Sequence, residues 1–327
     1  MVEDLRRLVE METPTGDKAR LDIAAEAITS YAKKIGGETK LLTHPKAGNR
    51  VLARFGWDKR QKEKVLLLTH FDTVWPVGTL KKMPFRVDGM RAYGPGAFDM
   101  KAGLVQGIWA LKAIGDLHGF DRRVILFCNS EEELGSPNAA VEIKGEALGS
   151  AAALVLEPSQ DGKLKTSRKG AGTFNIKVTG RAAHAGLDPT KGISAIDEMS
   201  RLVLTLHALT DLKKGTTLNV GVINGGTRSN VVAEEATAEV DIRVPTMCEA
   251  KRVVPRIMAL QRHHHDPRTK VEISGGIAHP PMERTRAIGE LFEKATGIAR
   301  RWASAWGRSL WAAPVTVTSP HPSGSLP

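Results

Sequence analysis

The stretch KVLLLTHFDTVWP, residues 64–76, is the part of the sequence that says most about the fold. Its first seven residues form an apolar run of strand length that ends in polar residues. Three more runs have this form: NRVLARF (49–55), RRVILFCN (122–129) and AALVLEP (152–158). A helical stretch, MKAGLVQGIWALKAIGDL (100–117), separates the second strand from the third. Strands joined by a helical crossover predict an α/β domain with functional residues just past the strand ends.

The second half of the chain has a different pattern. Alternating strands and amphipathic helices follow in the order strand, helix, two strands, helix, strand, starting with TFNIKVTG (173–180) and ending with TKVEISGG (269–276). This order predicts a compact α+β unit inserted into the first domain. We therefore expect a first domain of residues 1–165 and 277–300, an inserted domain of 166–276, and an atypical tail of 301–327. Residues 1–35 have a helical period that ends at Gly36 and Gly37.

Composition narrows the functional class. Of the 327 residues, 41% are hydrophobic and 25% charged, as in soluble globular proteins. No apolar run of about eighteen residues and no signal sequence is visible, so we expect a cytoplasmic protein without a membrane partner. The two cysteines predict free thiols. The net charge of +11 is scattered rather than gathered in a basic stripe, so a nucleic-acid partner is not expected. We expect the run His263–His265 to be a solvated corner near a helix end rather than a metal site.

Polar residues follow the predicted strands in four places. His70 and Asp72 are two residues apart, so the Asp could orient the second nitrogen of a metal-bound imidazole; an ordinary loop is the alternative. Asp99 lies between a glycine-rich loop and a helix start, where a helix N-cap is the alternative. Glu131–Glu133 follow a buried strand, where three adjacent acids are costly without cations, although surface acid runs are common. Glu157 ends the last run.

Together these clusters place one histidine and several carboxylates at one sheet edge. Imidazole and carboxylate are zinc ligands, and a carboxylate-rich site can hold two metals. Two metals would stabilise both the nucleophile and the oxyanion in amide hydrolysis, and a spare glutamate could serve as general base. The combination predicts a hydrolytic metal site.

Four ordered motifs carry a family resemblance: THFDTVWPVGT (69–79), GPGAFDMKAG (94–103), NSEEELGS (129–136) and RAAHAGLDPTKGISAI (181–196). They resemble the dinuclear-zinc exopeptidases, which include glutamate carboxypeptidases, aminoacylases and succinyl-diaminopimelate desuccinylases, with the glutamate carboxypeptidase branch most similar. The resemblance implies a catalytic α/β domain with a central mixed sheet, an inserted lid and dimerisation domain, and two zinc ions per subunit. Cobalt and manganese would also fit.

The resemblance also implies roles for the motif residues. His70 and Glu157 would bind one zinc, Asp99 would bridge both and precede a cis peptide bond, and Glu133 would bind the second. Asp72 would orient His70, and Glu132 would be the general base. In the inserted domain, His184 would reach across a homodimer formed through residues 166–276 to polarise the substrate carbonyl. The implied substrate-binding residues are Asn230, Arg243 and Lys163.

The implied reaction is release of a C-terminal amino acid, with glutamate expected, from a peptide or N-acyl conjugate. Two alternatives remain open at this point. One is an N-acyl-amino-acid deacylase or desuccinylase, which would share the metal site and differ in its pocket lining. The other is an inactive dimerising remnant that lacks the last zinc ligand.

The tail RRWASAWGRSLWAAPVTVTSPHPSGSLP, residues 300–327, holds three of the six tryptophans and no Asp, Glu or Lys. If the reading frame is shifted by one base, the codons of WAAPVTVTSPHPSGSLP become compatible with the sequence GGASDGNFTAPLGVPT. That sequence resembles a motif of the family. We therefore interpret residues from about Arg301 as an out-of-frame translation, against the alternative of a divergent C-terminus. Such a tail would pack poorly and leave one zinc short of a ligand.

Overall fold

The computed structural model of the chain begins with two helices, α1 (Val2–Glu10) and α2 (Lys18–Lys34), where the sequence predicted one helical segment. It describes residues 1–57, 63–159, 162–306 and 316–318, with side chains up to Arg301. Between the helices, Pro14 has no N–H to continue a helix. The Asp17 carboxylate then caps α2 by accepting the Arg20 N–H at 3.2 Å. The chain therefore turns at residues 11–17.

A five-stranded mixed sheet lies at the centre of the first unit. In chain order the strands of this unit are β1 (Glu38–Leu42), β2 (Arg50–Phe55), β3 (Lys64–His70), β4 (Arg86–Asp88), β5 (Arg91–Tyr93), β6 (Arg123–Asn129) and β7 (Ser150–Val155). The sheet has the order β1-β2-β6-β3-β7, and β4 and β5 pair separately. Strand β3 runs parallel to both β6 and β7, which brings three carboxyl ends to one edge.

Helices cover both faces of this sheet. On one face α1, α2 and α3 (Ala102–Leu117) bury Leu8, Ile28 and Leu104 in a core with Phe55 and Leu126 of the sheet. On the other face a smaller core holds Leu52, Leu66, Ile125 and Phe127, with Ile143 of α4 (Ala140–Ala147) packed against it. This two-sided burial explains the apolar runs that the sequence shows at β3 and β6.

One close approach fixes α3 against the chain leading to Glu157. A Cβ atom added at Gly103 would lie 1.9 Å from the Leu156 carbonyl oxygen, which is backbone and cannot rotate away. We expect Gly103→Ala to lower the free energy of unfolding by about 1–3 kcal/mol, as overpacked cores do. Urea unfolding measures the change.

The control is Gly145→Ala in α4, where an added Cβ atom would meet nothing within 4 Å. There the gain in helix propensity should raise stability by about 0.5–1 kcal/mol. Equal effects at both sites would contradict the close contact.

The second unit has the predicted order of strands and helices. Its elements are β8 (Gly170–Thr179), α5 (Ala195–His207), β9 (Thr217–Gly225), β10 (Glu235–Val244), α6 (Met247–Ala259), β11 (Lys270–His279) and α7 (Arg286–Trp306). The four strands form an antiparallel sheet of order β11-β8-β10-β9. Helices α5 and α6 bury Met199, Leu202, Val253 and Ile257 in its core. The α/β class with an inserted α+β unit is thereby confirmed.

The chain divides into one unit of Met1–Lys163 with the described residues after Arg301, and a second unit of Leu164–Arg301. Residues 277–300, which the sequence predicted as part of the first domain, group with the second unit in this division. At the start of this range, β11 stays paired with β8 as far as His279. Helix α7 continues past Arg301, where the atypical tail was expected to begin, to Trp306. A further short strand, β12 (Thr316–Thr318), pairs with β5. Residues 307–315 and 319–327 lie outside the described residues, so poor order of the tail stays a prediction.

No helix in the described part of the chain combines the length and the apolar character that a membrane crossing needs.

Candidate metal centre

The carboxyl ends of three parallel strands bring the predicted site residues together. Strand β3 ends at His70, which is paired in register with Asn129 at the end of β6. Glu131–Glu133 follow β6 directly, and Glu157 lies two residues beyond the end of β7. Asp99 comes from a kinked turn, Ala97–Lys101, just before α3, in which Asp99 and Met100 have non-helical backbone angles. The sheet edge that the sequence predicted as a functional site therefore exists in the fold.

Three side chains form a group that can hold a metal ion. His70 Nε2 lies 3.1 Å from Asp99 Oδ1 and 3.4 Å from Glu157 Oε1. One ligand atom of each residue lies within 4.8 Å of the other two. The imidazole is buried, whereas 55% of the Asp99 side chain is exposed, so the group is open to solvent on the carboxylate side. A substrate or an ion can reach it from there.

The Asp99–Met100 peptide bond is cis, as the resemblance implied. Asp99 does not cap α3: the N-cap position is Lys101, which makes no side-chain capping hydrogen bond. The alternative interpretation of Asp99 as a helix cap is therefore wrong.

Asp72 orients the imidazole from the buried side. His70 Nδ1 lies 3.1 Å from the Asp72 carbonyl oxygen and 3.3 Å from its carboxylate Oδ1. Because both neighbours are acceptors, Nδ1 carries a proton, which leaves Nε2 as the ring nitrogen that could bind a metal ion. Nε2 faces the Asp99 and Glu157 carboxylates. A histidine held in this way by a carboxylate is the usual arrangement of a metal-bound imidazole.

The charges around Nε2 fit a bound cation. Burial lowers the pKa of His70, but hydrogen bonds to Asp72, Asp99 and Glu157 outweigh burial and raise this pKa to about 12. A nitrogen lone pair that faces two carboxylates at hydrogen-bonding distance needs a positive charge between them, either a proton or a metal ion. One imidazole and two carboxylate oxygens are a donor set that zinc accepts. The residues present therefore fit the metal that the sequence predicted.

Two glutamates lie beside this group on a 3₁₀ turn, Glu132–Leu134. Glu132 Oε2 is 3.9 Å from His70 Nε2, and burial raises the pKa of Glu132 above its ordinary value. Burial and then the Asp99 carboxylate raise the pKa of Glu133 to about 7. Glu133 is not one of the three grouped ligands. A carboxylate with a raised pKa next to a metal site suits proton transfer near neutral pH.

Glu131 shapes the loop that carries these glutamates. Its buried carboxylate accepts hydrogen bonds from Asn138 N at 2.6 Å, Asn138 Nδ2 at 2.8 Å and Ala139 N at 2.7 Å. The sequence showed Glu131 only as the first acid of the run, because a partner eight residues away cannot be inferred from spacing. The loop from residue 131 to 139 is thereby closed on itself.

Lys101 is a further residue that the sequence analysis did not select. It is buried, and its Nζ donates to the Leu8 carbonyl oxygen at 2.9 Å. Burial lowers the pKa of this ammonium group to about 7. Lys101 ties α1 to the turn that carries Asp99. The sequence did not indicate this hydrogen bond, because Lys101 and its partner Leu8 are 93 residues apart.

The predicted residues of the second unit lie in two places. His184 pairs with Val231, and Ala185 N donates to the Asn230 carbonyl oxygen at 2.9 Å, so His184 and Asn230 are neighbours. His184 Nδ1 accepts from Gly186 N at 3.2 Å and Leu187 N at 3.1 Å. The ring proton therefore lies on Nε2, which can donate a hydrogen bond.

The two basic candidates lie elsewhere. Arg243, on β10, directs its Nε to the Asp241 carboxylate at 2.9 Å and 3.1 Å. Lys163 is exposed and is the last residue before the second unit. In the described part of the chain, the contact of Arg243 is with an acid of its own strand.

The sequence of the chain is similar to those of known peptidases. Residues 166–269 match the family described as the peptidase dimerisation domain. Carboxypeptidase G2 of Pseudomonas sp. is 32% identical over 250 residues, which cover 74% of this chain and 59% of that protein. A peptidase M20 domain-containing protein of Schizosaccharomyces pombe is 29% identical over 259 residues, 76% of this chain and 61% of that protein. The chain thus spans about three fifths of the length of these relatives.

Solved structures share the fold. Aminopeptidase PepT from Bacillus cereus has a TM-score of 0.74 at 19% identity, with 97% of this chain and 83% of that chain covered. A metallo-carboxypeptidase of Sulfolobus solfataricus has a TM-score of 0.61 at 18% identity, covering 86% and 79%. The shared fold and the match of residues 166–269 place the chain in a class of proteins that carry a peptidase dimerisation domain. The chain belongs to the M20 peptidase family.

Proposed function

We propose that this chain is a metal-dependent exopeptidase that hydrolyses an amide bond and releases a C-terminal amino acid, with glutamate as the expected product. The observation that carries the proposal is the His70, Asp99 and Glu157 group with Glu132 beside it, 3.9 Å from the imidazole. Similarity to carboxypeptidase G2 supports a carboxypeptidase, and the resemblance of the sequence motifs to glutamate carboxypeptidases is the reason for testing glutamate first. A bound zinc ion would polarise the scissile carbonyl as a Lewis acid.

The chain's own residues supply the remaining steps. His70, Asp99 and Glu157 would hold the first metal, and Glu133 is the ligand proposed for a second. Glu132 takes a proton from the attacking water and returns it to the leaving amine, which its raised pKa suits. Asp72 holds His70 in the tautomer whose Nε2 is a ligand.

Residues of the second unit, together with Lys163 of the first, would supply the substrate contacts. His184 Nε2–H is a donor for the carbonyl oxygen, and we propose that it acts across a homodimer formed through residues 166–276. The match of residues 166–269 to the dimerisation domain supports that dimer. Asn230, Arg243 and Lys163 are the proposed contacts to substrate polar and carboxylate groups, and a guanidinium binds a carboxylate well. Light scattering of the purified chain measures the dimer.

A substrate panel tests the proposed reaction. Folyl-glutamate, N-acetyl amino acids and dipeptides are incubated with the zinc-loaded protein, and the released amino acids are quantified. We expect glutamate from folyl-glutamate as the fastest reaction. Cleavage of N-acetyl amino acids alone would replace the proposal by a deacylase. Zinc binding without any hydrolysis would overturn the enzymatic proposal.

The raised pKa of Glu133 predicts how metal binding depends on pH. Below about pH 7 the Glu133 carboxyl is protonated, and this proton must leave before the group can bind a metal. Affinity for a second metal should therefore fall by about tenfold for each pH unit below 7, in addition to any slope from His70. Zinc titrations from pH 5.5 to 8.5 measure how this affinity changes with pH. Glu133→Gln should remove the change of slope near pH 7. A parent protein whose zinc affinity shows no change of slope near pH 7 would contradict the assignment.

A further inference from the structure

The segment Thr13–Thr15, between α1 and α2, lies along the loop that follows β3. Thr13 Oγ1 donates to the Phe71 carbonyl oxygen at 2.5 Å, and Thr73 N donates to the Thr13 carbonyl oxygen at 2.9 Å. Thr15 N donates to the Thr73 carbonyl oxygen at 2.9 Å. These hydrogen bonds to the backbone of the loop bring the Thr15 side chain to the Asp72 carboxylate. Neither the motifs nor the spacing of the sequence indicated this contact.

The Thr15 hydroxyl has one proton and two acceptors within reach. Its Oγ1 lies 2.9 Å from Asp72 Oδ2 and 3.1 Å from the Thr73 carbonyl oxygen. The Thr73 carbonyl already accepts the Thr15 N–H. The Asp72 carboxylate is closer, and an ionised acceptor forms the stronger hydrogen bond. The hydroxyl proton therefore goes to Asp72.

Asp72 has four acceptor positions, two on each carboxylate oxygen, and two donors face each oxygen. Oδ1 faces His70 Nδ1 at 3.3 Å and Glu132 N at 3.0 Å. Oδ2 accepts from Glu133 N at 3.1 Å and from Thr15 Oγ1. The Asp72 side chain is 0% exposed, so water cannot replace a lost donor without movement. The Thr15 hydroxyl is thus the one side-chain hydroxyl among these four donors.

We propose that Thr15 is a positioning residue of the metal centre, acting through Asp72. The other three donors belong to the proposed ligand His70 and to the backbone of the proposed base and second ligand. Without the Thr15 hydroxyl, a buried carboxylate lacks one donor and turns to recover it. That rotation moves the imidazole and the Glu132–Glu133 turn together. The inference rests on the proposed function in taking His70 as a metal ligand.

The test is the zinc affinity of this chain, measured by competition with a chromophoric chelator. Thr15→Val keeps the shape of the side chain and removes the donor, Thr15→Ala removes both, and Thr15→Ser keeps the donor. Val and Ala should weaken zinc binding by about 10- to 100-fold, which is usual when a group behind a metal ligand is lost. Ser should restore an affinity close to that of the parent protein. Urea unfolding of each variant verifies that the comparison is between folded proteins.

Two results would overturn the proposal. Val and Ala variants that bind zinc as tightly as the parent would show that the hydroxyl does not matter. A Ser variant as weak as Val would show that the methyl group, and not the donor, holds the segment. Because no substrate is used, either result leaves the peptidase proposal standing. A parent protein that takes up no zinc would overturn the metal centre and this inference together.

Discussion

Glu132→Gln should abolish most of the hydrolysis while zinc stays bound. Glutamine has nearly the same shape as glutamate but does not take up a proton at neutral pH, so the attacking water would keep its proton. Loss of a positioned general base typically costs about 10²- to 10⁴-fold in rate. The fold around residue 132 should survive, because the backbone N–H of Glu132, and not its side chain, bonds to Asp72 at 3.0 Å.

The test compares the turnover and the zinc content of Glu132→Gln with those of the parent protein. Release of glutamate from folyl-glutamate gives the rate, and elemental analysis gives zinc per chain. Glu26→Gln, at an exposed position of α2, is the matched control and should leave both values unchanged. A Glu132→Gln protein that turns over at the parent rate would remove Glu132 from the mechanism.

Zinc should raise the melting temperature strongly, and His70→Ala should abolish the increase. The three grouped residues place two carboxylates against a buried imidazole, so without a metal ion two negative charges lie close together. A ligand that binds only the folded state at a hundred times its dissociation constant stabilises it by about 2.7 kcal/mol. For a unit of this size the melting temperature should rise by roughly 5–10 °C.

Differential scanning fluorimetry with and without zinc measures this shift. His118→Ala is the control, because His118 is an exposed residue at the C-cap of α3 and lies outside the ligand group. That variant should keep the full shift. If His70→Ala keeps the shift as well, zinc binds elsewhere in the protein.

The sheet edge could be predicted because strand ends are local features. The apolar run 64–70 coincides with β3, and the runs before residues 131 and 157 coincide with β6 and most of β7. In a parallel arrangement such ends must meet, so polar residues after each run could be assigned to one site. This prediction needs only the length of each apolar run and the position of its last apolar residue.

The contacts behind the metal centre could not be predicted in this way. Helical periodicity looks alike in α1 and α2, and the break at residues 11–17 delivers Thr15 to Asp72 across 57 positions of sequence. Lys101 is equally remote from its partner at Leu8. For Asp99, residue type allowed both a cap and a ligand, and only the turn at residues 97–101 decides against the cap. Long-range pairing follows from the folded backbone, not from local pattern.

The most direct test of the metal centre is a crystal structure of the zinc-soaked protein with anomalous diffraction at the zinc edge. The account predicts an anomalous peak about 2.0–2.2 Å from His70 Nε2 and from carboxylate oxygens of Asp99 and Glu157, with Glu132 nearby but not bound. A protein whose zinc lies only at another place, such as the histidine run 263–265, and not between these three residues would contradict it.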